Sequence, residues 1–192
     1  MRGVSGNCAA PALAGISMSS SESIFTRLAD RLEKGLTALG QAVSWLGVVL
    51  IFSIILQVVL RYGFGHGLIV LEELQWHLYG IGILLGLSYT TIHDGHVRVD
   101  LFHEHFSERL RAWIELLGTL ILLWPFIYVV FMHSLPFLAE SYALGETSDA
   151  PAGLPFRWII KGFIPVGMVL LFLASLVQAL RCVHIIILKP RQ

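Results

Sequence analysis

The chain of 192 residues is 56% hydrophobic and only 14% charged, with a mean hydropathy of +0.75, which lies outside the range of soluble globular domains. Thirteen Lys and Arg balance thirteen Asp and Glu, so neither nucleic acid nor a bulk acidic partner is implied. Two isolated cysteines, Cys8 and Cys182, lack the paired spacing of a disulfide framework, zinc knuckle or redox couple.

Residues 1–23 carry one arginine among small residues and no compact apolar core of signal-peptide type, and are expected to be a disordered tail, with Met18 an alternative start. Residues 24–188 are expected to form one all-α, four-helix membrane domain. The segment SIFTRLADRLEKGL sets Ile24, Leu28, Leu32 and Leu36 at helical spacing, as a short amphipathic helix on the membrane surface or as an extension of the first span.

Four stretches, 35–60, 74–93, 116–139 and 162–180, contain no Asp, Glu, Lys or Arg. A bilayer core needs about 20 residues of helix at 1.5 Å each, and a backbone in lipid must satisfy its own hydrogen bonds. Four transmembrane helices over about 36–60, 74–93, 114–137 and 159–181 follow, with Pro125 and Pro165 expected to kink the third and fourth.

By alternation, the N-terminal, 93–115 and C-terminal segments share one side of the membrane. They hold Arg2, Arg27, Arg31, Lys34, Arg98, Arg109, Arg111, Arg181, Lys189 and Arg191, against Arg61, Arg157 and Lys161 on the other. Both termini are therefore expected in the cytoplasm. YTTIHDGHVRVDLFHEHF then becomes a cytoplasmic turn.

Histidines near the span ends raise a haem reading, with His77 opposite His133 and His93 or His96 opposite His184. That reading requires imidazoles facing each other inside the bundle. A zinc site from His93, His96 and Asp100 is a further metal reading. Against them, His77 lies four residues after Glu73, and His133 stands where the third span approaches water.

The spans carry almost no ionisable residue, so no ion pathway is visible, nor are there paired broken helices of the kind that mark a carrier's midplane site. In the second span Gly82, Gly86 and Thr90 form a small-residue stripe that suits close helix packing, within the chain or on another subunit. Arg61, Glu72 and Glu73 sit at neighbouring span ends, where an ion pair would fix the two helices, and Trp76 belongs to an interfacial belt. His96, Arg98 and Asp100 lie in the turn as a solvated or a docking cluster.

LQVVLRYGFG, EELQWHLYGIGILLGLSYTTIHDGHVRVDLF, RAWIELLGTLILL and GETSDAPAGLPFRWIIKGFIPVGM, taken in order over about residues 45–180, resemble the small membrane subunit of tripartite ATP-independent periplasmic (TRAP) transporters, the DctQ-like family. Trp76, His96 to Asp100 and Gly153 to Pro155 are closest to its mannitol/chloroaromatic branch. The resemblance implies a non-enzymatic inner-membrane scaffold for a large membrane subunit, in sodium-coupled import of an organic acid delivered by a periplasmic binding protein. It implies no cofactor in this chain, the sodium sites lying in the partner. Arg61, Glu72, Glu73, Trp76, Gly82, Gly86, Thr90, His96, Arg98, Asp100 and Pro155 are then candidate interface or structural positions. The alternative is a haem b anchor of a quinone-linked oxidoreductase.

Overall fold

The computed structural model describes residues 20–93 and 107–188, and every regular element among them is helical. Helix α1 spans Ser20–Gly63 and α2 Ile69–Ile92. Helix α3 covers Glu108–Gly118, passes through a π turn at Thr119–Leu123, and continues as α4, Trp124–Ala143. Helix α5 runs Trp158–Leu188.

Each helix is longer than the apolar stretch that predicts it. Helix α1 is one 44-residue rod, so the expected amphipathic segment extends the first span, and residues 20–23, expected in the tail, are helical. The HVRVD turn, the rest of the tail and Cys8 lie outside the described residues. Three helical stretches, Ala29–Gly63, Arg109–Ala143 and Trp158–Ile187, are long and apolar enough to cross a membrane.

The prolines are absorbed within the helices. Pro125 has no N–H and its ring would strike the carbonyl four residues back; the π turn just before it widens the ladder, with the Trp124 N–H reaching the Thr119 carbonyl. Pro136 and Pro165 stand inside α4 and α5.

The helices form an open array in the order α1, α2, α5, α4. Helix α2 packs along both α1 and α5, α5 also packs on α3 and α4, and no comparable seam joins α1 and α4 among the described residues. Consequently 44% of the apolar stretch of α5 is buried, against 11% for α1 and for α3–α4. Leu36, Ile92 and Ala174 form one small core cluster; Ile127, Met168 and Leu171, with Leu84 and Leu87, form another. Two glycines admit close approaches between helices: the Tyr89 ring occupies the place of a Gly40 Cβ, and a Cβ on Gly167 would stand 3.0 Å from the Leu84 carbonyl oxygen.

Candidate functional site

Polar groups collect at the two ends of the array. At the hairpin end, the turn between α1 and α2 begins with Gly65 at φ +71°, and the Leu68 N–H is capped by the Gln57 side chain at 3.2 Å. Gln57 and Arg61 both donate to Glu72, at 3.3 and 3.4 Å. The Arg61–Glu72 pair is well exposed and contributes little by itself. One turn further on, Gln75 donates to the Ser53 carbonyl at 3.1 Å, so α1 and α2 are joined by side chain to backbone as well as by packing.

Glu73 turns the other way, toward the 144–157 loop. Its carboxylate accepts the Ser148 hydroxyl and, at 2.5 Å, the Leu154 N–H. A Cβ on Gly153 would lie 2.6 Å from the Ser148 hydroxyl and 2.8 Å from the Glu73 carboxylate, so the loop closes over Glu73 only with glycine there. Ala152 and Phe156 hold φ of +62° and +65°, a left-handed conformation that non-glycine residues keep only where the surroundings over-determine it. The loop is tied to itself through Ser148 N–H to Leu154 carbonyl and Arg157 N–H to Glu146 carbonyl.

Glu146 sits on the far side of the loop. Lys161 pairs with it while lying 3.9 Å over the Phe137 ring, and Arg157 stands 3.8 Å from both Glu146 and Asp149. Hydrogen bonding to Lys161 holds the Glu146 carboxyl below its ordinary value of 4.5. A depressed folded value means that this contribution is present above 4.5 and is lost as pH falls through the lowered value. Glu146→Gln should therefore show a smaller loss of thermal stability than the parent chain between about pH 6 and pH 3, read by tryptophan fluorescence; equal losses would contradict the pairing.

At the opposite, terminal end, Arg181 of α5 pairs with Glu33 of α1, and the buried Cys182 thiol lies 3.5 Å from Glu115. Between the two ends Thr90 donates to the Gly86 carbonyl at 2.9 Å within α2, and the Trp124 indole donates to Ser175 at 3.2 Å, joining α4 to α5.

The sequence candidates thus fall into separate places. Arg61, Glu72 and Glu73 belong to the hairpin end, where Pro155 is an exposed loop residue and Trp76 is 74% exposed. Thr90 is 17 residues from Glu73, about 25 Å along α2. Gly82 lies seven residues from both Gln75 and Tyr89, which touch α1, yet a Cβ at Gly82 or Gly86 meets nothing within 4 Å. Gly47, seven residues after Gly40, is equally open. His96, Arg98 and Asp100 lie outside the described residues.

Sequence reasoning missed Ser148, Gly153, Glu146 and Lys161 as a unit, although GETSDAPAGLP carries both acids and the hydroxyl; it also missed Gln57 and Gln75, the polar interruptions of two apolar runs. His77, His93 and His133 each turn Nδ1 to the carbonyl four residues back, at 2.6, 3.1 and 2.8 Å. His133 is exposed on α4, an edge helix separated from α2 by α5, so it does not face His77 across an interior. It stands ten residues before the end of α4. Among the described residues no group of three His, Cys, Asp or Glu gathers at a metal-binding spacing.

Over residues 50–184 the chain matches the family described as tripartite ATP-independent periplasmic transporters, DctQ component. No curated protein and no solved structure matches it.

Proposed function

The chain belongs to the DctQ component family of tripartite ATP-independent periplasmic transporters, a transporter component and not an enzyme, and from that premise we propose that it is the small subunit that holds the static part of the large membrane subunit. The observation that carries this reading is the family match, which runs from the last third of α1 into the last third of α5. In the same reading the large subunit carries the sodium and substrate sites, a periplasmic binding protein delivers the substrate, and the substrate is an organic acid. Trp76 and Gly153 to Pro155 support placement in the mannitol/chloroaromatic branch.

Physical features support a holding rather than a translocating role. The four charge-free stretches give sodium or a carboxylate no partner of opposite charge inside the spans. Helix α2, 24 residues or about 36 Å long, is proposed as the fourth span, since it exceeds the roughly 30 Å hydrocarbon core and is flanked by two membrane-length helices. The ten-to-three Lys and Arg asymmetry favours both termini in the cytoplasm of an inner-membrane protein, with the Glu73 loop in the periplasm.

The open strip beside Gly82 and Gly86 is proposed as a contact for the large subunit, with Thr90 at its end and Arg61, Glu72, Glu73, Trp76 and Pro155 shaping the periplasmic rim. His96, Arg98 and Asp100 are proposed to serve assembly on the cytoplasmic side. The double variant Gly82→Leu, Gly86→Leu should lose the co-expressed large subunit on affinity purification, and an intact complex would sink that assignment. The wider reading is tested in proteoliposomes with a sodium gradient. Uptake should need all three components; uptake by this chain alone, or full uptake without it, would overturn it.

A further inference from the structure

Resting on the reading of the chain as a subunit held against a large membrane partner, we infer that the α1 face carrying Gln41 and Trp45 is covered by a transmembrane helix of that partner which offers hydrogen-bonding groups at this depth. Trp45 lies midway between the two polar layers, twelve residues from Glu33 at the terminal end and twelve from Gln57 at the hairpin end, or about 18 Å from each. It is nevertheless 70% exposed, and Gln41, one turn away on the same face, is exposed too. Val48 and Phe52 continue that face at three- and four-residue steps, as a helix-packing seam would.

Hydrocarbon cannot satisfy this surface. Ser44 donates to the Gln41 carbonyl at 2.6 Å, but the Gln41 carboxamide and the Trp45 indole N–H have no partner among the described residues. An unpaired amide or N–H in lipid is costly, and tryptophan favours the membrane interfaces over the middle. The α2 and α5 hydroxyls at similar depth are satisfied within the chain: Ser88 donates to the Leu85 carbonyl and Ser175 to that of Phe172. Helix α1 is also an edge of the array: it packs along α2 and meets α5 at the terminal end, where Arg181 pairs with Glu33, and no seam joins it to α4 among the described residues.

A second copy is a poor occupant. Copies share one orientation in the membrane, so a twofold contact through this face sets Trp45 against Trp45 at equal height, and the indole N–H is a donor only. A different helix with a carbonyl, hydroxyl or amide at that level completes both groups.

The test uses the co-expressed, intact complex. Benzoylphenylalanine in place of Val48 should photo-cross-link to the large subunit; an adduct to a second copy, or no protein adduct, overturns the inference. The double variant Gln41→Leu, Trp45→Leu leaves a surface that lipid tolerates, so the chain should stay in the membrane at its usual level while co-purified large subunit falls about tenfold. Unchanged co-purification overturns the inference. A wild-type chain that retains no large subunit would sink the subunit reading and this inference together, whereas a retained partner with a silent Val48 probe would sink this inference alone.

Discussion

Gly167→Leu should be strongly damaging to the membrane-embedded part of the chain, lowering the apparent melting temperature of the detergent-solubilised protein by about 5 °C or more. The reason is backbone, not side chain. A Cβ at Gly167 would stand 3.0 Å from the Leu84 carbonyl oxygen and 3.3 Å from its carbonyl carbon, and a helix backbone cannot swing aside as a side chain does. Leucine must therefore push α2 away from α5, opening the contacts of Leu84 and Leu87 with Met168 and Leu171. Over-packing of this kind costs about 1–3 kcal/mol. Gly167→Ala needs a shift of only a few tenths of an ångström and should fall between leucine and the parent. Gly82→Ala and Gly86→Ala, with nothing within 4 Å, should melt within about 1 °C of the parent or slightly above it, as alanine favours the helix. A Gly167→Leu chain that melts like Gly82→Ala would mean that α2 and α5 do not meet at this point.

This contrast shows what was legible in the sequence and what was not. Apolar runs free of charge mark helices of membrane length, because lipid leaves the backbone no other partner, and the all-helical architecture follows from that constraint alone. Which glycine carries a close contact does not follow. Gly82 and Gly86 have the small-residue spacing associated with helix packing, whereas Gly167, with Phe163 and Leu171 four residues to either side, lacks it and yet sits at a close backbone approach. Spacing along one helix says nothing of where its neighbour lies.

The same limit applies to shape. Four apolar stretches suggest a closed bundle, in which each helix buries one face; the open order α1, α2, α5, α4 leaves both edges bare. An edge helix is no more or less apolar than a central one when the alternative to protein is lipid, so hydropathy cannot rank them. Misplaced polar groups such as Gln41 and Trp45 on α1 are the kind of feature that distinguishes a surface meant for protein from one meant for lipid.

Glu73→Ala should free the 144–157 loop, raising the initial rate of trypsin cleavage at Arg157 on the order of tenfold. Glu73 and Leu154 are 81 residues apart, so no local pattern announces their contact, and the sequence pairs Glu73 more readily with Arg61 across the short hairpin. The structure divides the two acids: Glu72 takes Arg61 and Gln57, and Glu73 takes the loop. Removing the Glu73 carboxylate leaves the Leu154 N–H and the Ser148 hydroxyl without their acceptor. It also withdraws the support for Ala152 and Phe156, whose left-handed backbone costs about 1–3 kcal/mol at each residue and relaxes once the surroundings let go. Glu73→Gln keeps one acceptor oxygen and should be cleaved at an intermediate rate. Gly153→Ala reaches the same result from the loop side, since its methyl collides with Ser148 and Glu73 while the carboxylate remains. If Glu73→Ala and Gly153→Ala both leave cleavage at the parental rate, the loop is held by Lys161 and Arg157 through Glu146, and Glu73 is not its anchor.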